Sequence, residues 1–437
     1  MLRSMLLVFA CAIAVFAWPV HADASAEPPR ERSGPVVVWI SIDGFRWDYL
    51  DKAETPVLDR LRAEGAYTHA YVPVFPSLTF PAHVSQVTGT PVTQHGIAAN
   101  AFYCRDEGEV LSYPGPARLL DAEPIWITAE RQGVRAAVLD WPVSHAQEGG
   151  VTATRFGSGY NPRMNDDARL GQVLDAWRGH EGDEPLRLLM GYAVATDSPG
   201  HRYGPDAPEM EGVIADADAL VGRFLDEIMK LRREKMHPDD ELYLILSTDH
   251  GMSKVEHIVN PNVLLGIEGR RDIRVVNSGN VANVYLAGIE PERERQKAID
   301  AMLAEAAKHP FAKAYRFEDL PERLGYSHLG RVGDLVVIMD RGYTFSRRVE
   351  GLMSTPEEQG GPLGMHGYDP ESNPDMYGFS VIWRYPTPLG GIDLGRVHSM
   401  QMHPTVAAIL GIEPSPQAEM APVGLPIPAE AGVPVRP

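Results

Sequence analysis

Three aspartates in this sequence each end an apolar run, at the position where an open α/β sheet presents its ligands. Asp43 ends "PVVVWISID", Asp197 ends "LRLLMGYAVATD", and Asp249 follows "LYLILST". Such runs predict buried strands, and the ligand crevice of such a sheet lies beyond the carboxyl ends of its strands. Each aspartate alone is as well explained as a turn former, but together they are expected to meet at one edge.

Two histidines occupy segments that could bring an imidazole to the same edge. His201 ends "DSPGH", four residues after Asp197, and Pro199 and Gly200 predict a tight loop there rather than a helix. His366 lies in the glycine-rich stretch "GPLGMHGYD". In isolation the first stretch is as readily an Asx turn and the second a surface histidine, so neither predicts a metal site by itself.

The third histidine, His250, directly follows Asp249. Neighbouring residues on a strand point to opposite faces, so both can serve one site only where the strand ends, and Gly251 permits the turn that this requires. Three carboxylates and three imidazoles form a ligand set suited to two zinc ions. Paired ions in such hydrolases lie about 3.5–4 Å apart, a separation that matches a single phosphoryl group.

Thr79 lies in the proline-bracketed segment "FPSLTFPAH". A hydroxyl residue between prolines is usually only part of a loop, but a bound divalent cation lowers the pKa of a coordinated hydroxyl by several units and makes it a nucleophile. Pro81 can open a helix, which would put Thr79 near a positive helix end that suits a phosphate oxygen. Asn100, in "HGIAANAFY", either donates its amide to that phosphate or simply caps a loop.

The elements that must position these residues alternate along the chain. Apolar, β-branched runs predict strands over 35–43, 134–140, 186–197, 242–251, 335–339 and 379–383. Helices are predicted over 55–65, 208–235 and 403–412. Alternating strands and helices predict an α/β fold with a mainly parallel sheet covered on both faces. The less regular stretch 254–360 is expected to carry an insertion or cap.

The first 24 residues predict a secretory signal peptide. Arg3 precedes a short apolar run, and Ala22-Asp23-Ala24 offers an A-x-A cleavage pattern. Cys11 raises the alternative of a lipoprotein, but apolar residues continue well past it. We therefore expect a periplasmic or secreted protein with one catalytic domain over 25–437 and no transmembrane anchor, since no later stretch is apolar enough to cross a bilayer.

Charge and cysteine content restrict the function further. A net charge of −19 disfavours binding of a nucleic-acid duplex. It leaves open a small anionic substrate, because a local metal cluster outweighs the global sign. After cleavage Cys104 is the only cysteine, so stability is expected from core burial and bound metal rather than from an intramolecular disulfide.

Five stretches, in order, resemble the motifs of the nucleotide pyrophosphatase/phosphodiesterases, a family of the alkaline phosphatase superfamily. They are "SIDGFRWDYL", "FPSLTFPAHVSQVTGTPVTQHGIAANAFY", "ATDSPGHRYGP", "STDHGM" and "MHGYD", and they span residues 37 to about 370. The resemblance implies an alkaline-phosphatase-like α/β/α sandwich with a small inserted cap. It also implies a hydrolase that cleaves phosphodiester or pyrophosphate bonds of nucleotides or related small molecules.

The same resemblance implies two zinc ions per chain and a role for each site residue. One zinc would be held by Asp197, His201 and His366, and the other by Asp43, Asp249 and His250, with Thr79 bound to the second as the nucleophile that forms a phosphothreonine. Phe80 matches an aromatic residue that sandwiches the base in this family. Tyr160, in "SGYNP", matches the second such aromatic residue, while core packing remains the other explanation for both.

Three alternatives stand beside the diesterase. A sulfatase is disfavoured, because its C/S-x-P-x-R motif is replaced here by Thr79-Phe-Pro-Ala-His83. A phosphomonoesterase needs a basic residue for the second phosphate charge, and Arg155 and Arg163 near Tyr160 keep that alternative open. A secreted binding protein without turnover is the third, although no nucleophile or ligand is missing.

Overall fold

The computed structural model describes residues 34–286 and 288–426. The predicted signal peptide, residues 1–24, lies outside the described residues and stays a prediction. None of the helices in the described part of the chain combines the length and the apolar character that a bilayer span requires.

The chain alternates between strands and helices along most of its length. The described strands are β1 (Val36–Ile42), β2 (Ala66–Val72), β3 (Ala101–Cys104), β4 (Glu109–Ser112), β5 (Arg135–Val138), β6 (Arg155–Phe156), β7 (Leu186–Ala193), β8 (Leu242–Thr248), β9 (Ser253–Lys254), β10 (His257–Val259), β11 (Arg274–Ser278), β12 (Val281–Tyr285), β13 (Ala312–Arg316), β14 (Leu335–Met339), β15 (Tyr343–Phe345), β16 (Met353–Ser354), β17 (Gly364–Met365), β18 (Gly378–Tyr385), β19 (Ile392–Asp393) and β20 (Arg396–His398). The described α-helices are α1 (Pro56–Glu64), α2 (Thr79–Thr88), α3 (Val92–His95), α4 (Ile125–Arg131), α5 (Asp166–Arg178), α6 (Asp197–Tyr203), α7 (Glu209–Lys235), α8 (Pro261–Leu264), α9 (Glu292–Ala306), α10 (Pro356–Gln359) and α11 (Met402–Leu410).

Nine strands form the central sheet, in the order β19-β2-β18-β8-β1-β7-β5-β6, with β20 also paired to β2. In the described sheet only β18 runs antiparallel to its neighbours. The register of the centre is set by β1, whose Val38 pairs with Leu189 of β7 and Leu244 of β8. The predicted α/β fold with a mainly parallel sheet is confirmed.

Both faces of this sheet are covered, which explains why its central strands read as continuous apolar runs. Val36, Val38 and Ile40 of β1 lie in an apolar core shared with α1, α5 and α7, whereas Val37 and Trp39 lie in a second core shared with α4 and α11. The alternation follows from the two-residue period of a strand. The result is a three-layer α/β/α sandwich.

One predicted strand belongs elsewhere and one predicted loop is wrong. The run 335–339 forms β14, but β14 lies in a separate four-stranded antiparallel sheet of order β11-β12-β14-β13. The stretch Asp197–Tyr203 is the helix α6, not a tight loop, and the backbone N–H of Gly200 donates to the carbonyl of Thr196 at 2.9 Å. Pro199 is tolerated because it stands in the first turn, where the N–H that it lacks would have no intrahelical partner.

The segment predicted as an insertion builds its own layer. The four-stranded sheet and α9 share an apolar core that includes Val284, Ile299 and Met302. The chain enters this segment beside β9 and leaves it beside β17, and these two short strands pair with each other. The limits 254–360 and the role of a cap stay predictions.

Candidate active site

The six predicted metal ligands converge beyond the carboxyl ends of β1, β7 and β8. Asp43 directly follows β1, and Asp249 and His250 directly follow β8. The Nε2 atom of His250 lies 3.4 Å from Oδ1 of Asp43 and 3.0 Å from Oδ2 of Asp249. Asp43 therefore forms one cluster with Asp249 and His250, although it lies more than two hundred positions before them in sequence.

A second cluster adjoins the first, and its carboxylate, Asp197, also lies close to Asp43 and His250. Oδ1 of Asp197 lies 3.3 Å from Nε2 of His201 and 3.6 Å from Nε2 of His366. One ligand atom from each of these three residues lies within 4.8 Å of the others, and the same holds for Asp43, Asp197 and His250. The rings of His250 and His366 are stacked, with centroids 3.5 Å apart. Two neighbouring ion sites can thus be built from these groups.

The backbone between the two clusters leaves no room for a side chain. Gly44 has φ +68°, and a Cβ there would lie 2.8 Å from the Cα of Asp197. Both the conformation and the close approach require glycine. Gly251 was expected to permit a turn, but it is needed for space, because a Cβ would lie 2.1 Å from the carbonyl oxygen of Asp375.

Each site histidine is oriented by a hydrogen bond from its other ring nitrogen. Nδ1 of His201 is 2.8 Å from the carbonyl of Gly364, and Nδ1 of His366 is 3.0 Å from that of Ser77. Nδ1 of His250 is 2.9 Å from the carbonyl of the next residue. A carbonyl only accepts, so Nδ1 carries a proton and donates, which leaves Nε2 as the nitrogen that faces the carboxylates and could bind a cation.

The carboxylates have the unmatched oxygens that a cation would need. Among the described residues, Oδ1 of Asp43, Oδ1 of Asp197 and Oδ2 of Asp249 are buried without a hydrogen-bond partner. Oδ2 of Asp43 accepts from the hydroxyl of Tyr192, and Oδ1 of Asp249 accepts two backbone N–H groups. A buried anionic oxygen without a partner is costly. The residues present therefore fit divalent cations with oxygen and nitrogen ligands.

Strong mutual electrostatics shift the pKa values of these groups. Burial raises the pKa of Asp43, and the carboxylates of Asp249 and Asp197 raise it further. Burial alone would raise the pKa of Asp197, but His201 and His366 outweigh it and hold the pKa at about 2. Burial alone would lower the pKa of His201, but Asp197 raises it to about 9. Protons and cations therefore compete for this cluster.

Thr79 is the first residue of α2, and its hydroxyl lies beside the first cluster. Its Oγ1 is 3.3 Å from Nε2 of His250. The backbone N–H of Phe80 donates to Oδ1 of Asn100 at 3.0 Å. This bond caps the start of the helix and leaves the Nδ2 donors of Asn100, which lines the same cleft, free of that contact. Both explanations weighed for Asn100 are thus compatible.

Aromatic side chains line a cleft of about 830 Å³ above these residues. Phe80 and Tyr160, the two predicted base-binding residues, both line it. Tyr160 rests on the guanidinium of buried Arg169, 4.4 Å from its ring centroid. Tyr113 meets Phe80 edge-to-face with centroids 5.6 Å apart and is 68% exposed. A flat ring could be held between these walls.

Comparison with known proteins agrees with this geometry. A family model described as type I phosphodiesterase/nucleotide pyrophosphatase matches residues 37–369. The human ectonucleotide pyrophosphatase/phosphodiesterase family member 7 is 30% identical over 409 residues, which cover 90% of this chain and 83% of the relative. The bis(5'-adenosyl)-triphosphatase enpp4 of Xenopus laevis is 29% identical over 395 residues, which cover 89% and 81%. Human ectonucleotide pyrophosphatase/phosphodiesterase 5 has a similar structure, with a TM-score of 0.73, 25% identity, and coverage of 87% of this chain and 96% of that one.

The chain belongs to the type I phosphodiesterase/nucleotide pyrophosphatase family. This membership confirms the predicted family, within the alkaline phosphatase superfamily, and the predicted class of enzyme.

The charge of the lining residues is a further property of the cleft in this phosphodiesterase-family chain. Among the described residues, no lysine or arginine lines it. Arg155 and Arg163 are the two residues for which a phosphomonoesterase was considered as an alternative function. Both are exposed, and neither lines the cleft. Buried Arg169 points its charge at Asp140 instead, at 2.5 Å.

Sequence reasoning missed several residues of this family member's site. Tyr192 holds Asp43 and lies within the predicted strand 186–197, where a tyrosine in an apolar run was the available signal. Tyr113 and Asn277 reach the cleft from a hairpin and from the second sheet. His145 lies 3.3 Å from Asp140 and also lines the cleft. Nothing in their local sequence marks these last three.

Proposed function

We propose that this protein hydrolyses phosphodiester or pyrophosphate bonds of nucleotides or related small molecules, with Thr79 as nucleophile. The observation that carries the proposal is the position of the Thr79 hydroxyl. It lies 3.3 Å from Nε2 of His250, at the edge of a cluster of carboxylates with unmatched buried oxygens. A hydroxyl at the start of a helix and beside a cation site is placed for attack on phosphorus.

We further propose two zinc ions. Asp197, His201 and His366 would hold one, and Asp43, Asp249 and His250 would hold the other with Thr79. Cations bound there would lower the pKa of the threonine hydroxyl and stabilise negative charge on the departing oxygen. Oxygen and nitrogen donors in this number suit zinc.

The chain's own residues then account for positioning. In the in-line step a bond forms between Oγ1 of Thr79 and phosphorus while the bond to the leaving oxygen breaks, which yields a phosphothreonine that water later cleaves. Asn100, fixed by the N–H of Phe80, directs its amide at a non-bridging oxygen. Phe80 and Tyr160 would hold the base between them.

The lining of the cleft favours a diester over a monoester. A monoester dianion needs an additional cation, and the described lining offers no lysine or arginine. The name of the frog relative, a bis(5'-adenosyl)-triphosphatase, agrees with a nucleotide substrate that carries esterified phosphates. Comparing hydrolysis of bis(p-nitrophenyl) phosphate with that of p-nitrophenyl phosphate tests this choice, and a faster monoester would contradict it.

We also propose that the protein is periplasmic or secreted, which the predicted signal peptide supports. The alternative is a binding protein without catalytic activity, and measured turnover would exclude it. Detection of any metal-dependent diester hydrolysis by the purified protein would eliminate it.

Substitution of the nucleophile tests the central claim. We expect Thr79→Ala to lower kcat for bis(p-nitrophenyl) phosphate by at least about a thousandfold, while metal content, measured by elemental analysis, stays unchanged. Thr79→Ser is the matched control, because it keeps a hydroxyl and should retain measurable turnover. Near wild-type rates in Thr79→Ala would refute the assignment.

A further inference from the structure

The charge of the cleft beyond the ligands suggests which leaving groups it accepts. Outside the two metal clusters, Asp140 is the acid that lines it, and this carboxylate is matched by Arg169 at 2.5 Å and by Gln172 at 3.1 Å. Nη1 of Arg169 makes the contact with Asp140, and its Nη2 donates to the carbonyls of Asn161 and Met164. Neither side chain therefore offers a free charge to a substrate.

The wall on either side of the second cluster is neutral. Ser198 follows Asp197, Met365 precedes His366, and Asn277 faces the cleft from β11. In the part of the chain that the structure describes, no cationic side chain lines this wall. Neutral hydroxyl, amide and thioether groups are adequate partners for an alcohol, but they do not neutralise phosphate charge.

The proposed cations would not supply the missing charge. Two divalent ions would balance the three aspartates and leave a surplus of one positive charge. This surplus is enough to neutralise the single negative charge of one phosphodiester. A polyphosphate leaving group brings several further negative charges into a cleft whose described lining offers no lysine or arginine. The net charge of −19 on the whole chain opposes them as well.

From this we infer that each further negative charge on the leaving group makes a substrate poorer, so that nucleoside di- and triphosphates with a free terminal phosphate are hydrolysed less well than substrates whose leaving group is uncharged or whose terminal phosphate is esterified. This inference rests on the proposed function and narrows its substrate class. Charged leaving groups are disfavoured because no cationic side chain of the cleft compensates their charge, not because they are too large to enter it.

A matched pair of substrates measures the effect of the negative charge on the leaving group. A nucleoside 5'-diphosphate and its β-methyl ester present the same anhydride bond and differ by one negative charge on the leaving group. Without added magnesium, which would mask that charge, we expect kcat/KM for the methyl ester to be higher by about tenfold or more. Equal values would overturn the inference.

Adding a cation to the wall should reverse the preference. Ser112 is exposed at the end of β4, lines the cleft and pairs with Ala101, next to Asn100. Ser112→Lys is expected to raise kcat/KM for the free diphosphate by about tenfold, whereas Ser112→Gln, of similar length and neutral, should leave the ratio of the two substrates unchanged. The same shift in both variants would contradict a charge effect.

A binding measurement provides a readout independent of turnover. In Thr79→Ala loaded with zinc, calorimetry should give a lower Kd for the methyl ester than for the free diphosphate. Arg163→Ala should change neither value, and a loss of diphosphate binding in that variant would show that this surface arginine serves the cleft and would overturn the inference.

The proposed function and the present inference can fail separately. If Thr79→Ala hydrolyses both substrates like the wild type, the proposed function fails. If Thr79→Ala is inactive but the wild type shows no preference between the two substrates, only the present inference fails.

Discussion

Asp43 is oriented from one side by a single buried hydroxyl. The OH of Tyr192 donates to Oδ2 of Asp43, which leaves Oδ1 directed at Nε2 of His250. Partners of this kind fix the orientation of a metal-binding group, and their removal typically lowers metal affinity by about 10–100-fold.

Tyr192→Phe is therefore expected to lower zinc affinity by about 10–100-fold without a large change in fold. Competition with a chromophoric chelator measures this affinity. Tyr243→Phe is the matched control, because Tyr243 lies in β8 and its hydroxyl donates to Glu241, just before that strand, away from the cleft. Equal losses in the two variants would mean that the effect is general destabilisation.

His201 makes metal binding depend on pH. Because Asp197 raises the pKa of His201 to about 9, the metal-free site holds a proton at neutral pH that a cation must displace. Apparent zinc affinity should thus rise by about tenfold per pH unit between pH 7 and 9. The ion pair stabilises the metal-free protein fully below the ordinary histidine pKa of about 6.5 and is lost as the pH rises through about 9.

Zinc titrations over this pH range, with unfolding temperatures of the metal-free protein, test both expectations. His201→Ala should remove about one proton from the number released on binding. His180→Gln, whose imidazole contacts only the carbonyl of Glu184 in the described chain, should leave it unchanged. A flat pH profile in the wild type would contradict the role given to His201.

At the scale of elements, the site depends on how closely β1 approaches α6. Gly44 ends β1 in a left-handed conformation against the Cα of Asp197. Gly44→Ala should lower the free energy of unfolding and displace Asp197, with loss of zinc and of diester hydrolysis. Gly108→Ala is a close control, since Gly108 has a similar φ of +71° but open space around its Cβ position.

The control should lose about 1 kcal/mol from backbone strain alone and keep full activity. Gly44→Ala should lose more than this in urea unfolding. If both variants remained equally active, the close approach would not matter for the site.

A strand or helix could be predicted where its own sequence pattern was strong. β1, β7 and β8 were predictable because buried parallel strands are apolar on both faces. Helix α2 begins at Thr79 after Leu78, which has no capping side chain, so its start lacks the usual mark. Helix α6 was missed because Pro199 and Gly200 resemble a loop, although proline in a first turn is permitted.

At the scale of the whole molecule, the candidate ligands could be named from the sequence but their distances could not. Asp43, Asp249 and His366 stand at strand ends or in a glycine-rich segment, and these local patterns made them candidates only when they were taken together. Tyr113, His145 and Asn277 have no such pattern, since they reach the cleft through the packing of distant segments. Which sheet an apolar run such as β14 joins is likewise decided by its neighbours, not by its own residues.

The pairing of β18 between β8 and β2 has a consequence for biosynthesis. β2 is made early and β8 midway, yet β18 joins them only when residues 378–385 emerge. Until then β2 has none of its partner strands, since β19 and β20 follow later still, and one edge of β8 is unpaired. Such long-range pairing is slow. The central sheet therefore closes late in folding, and the open edges of β2 and β8 are exposed to wrong pairing until β18 arrives.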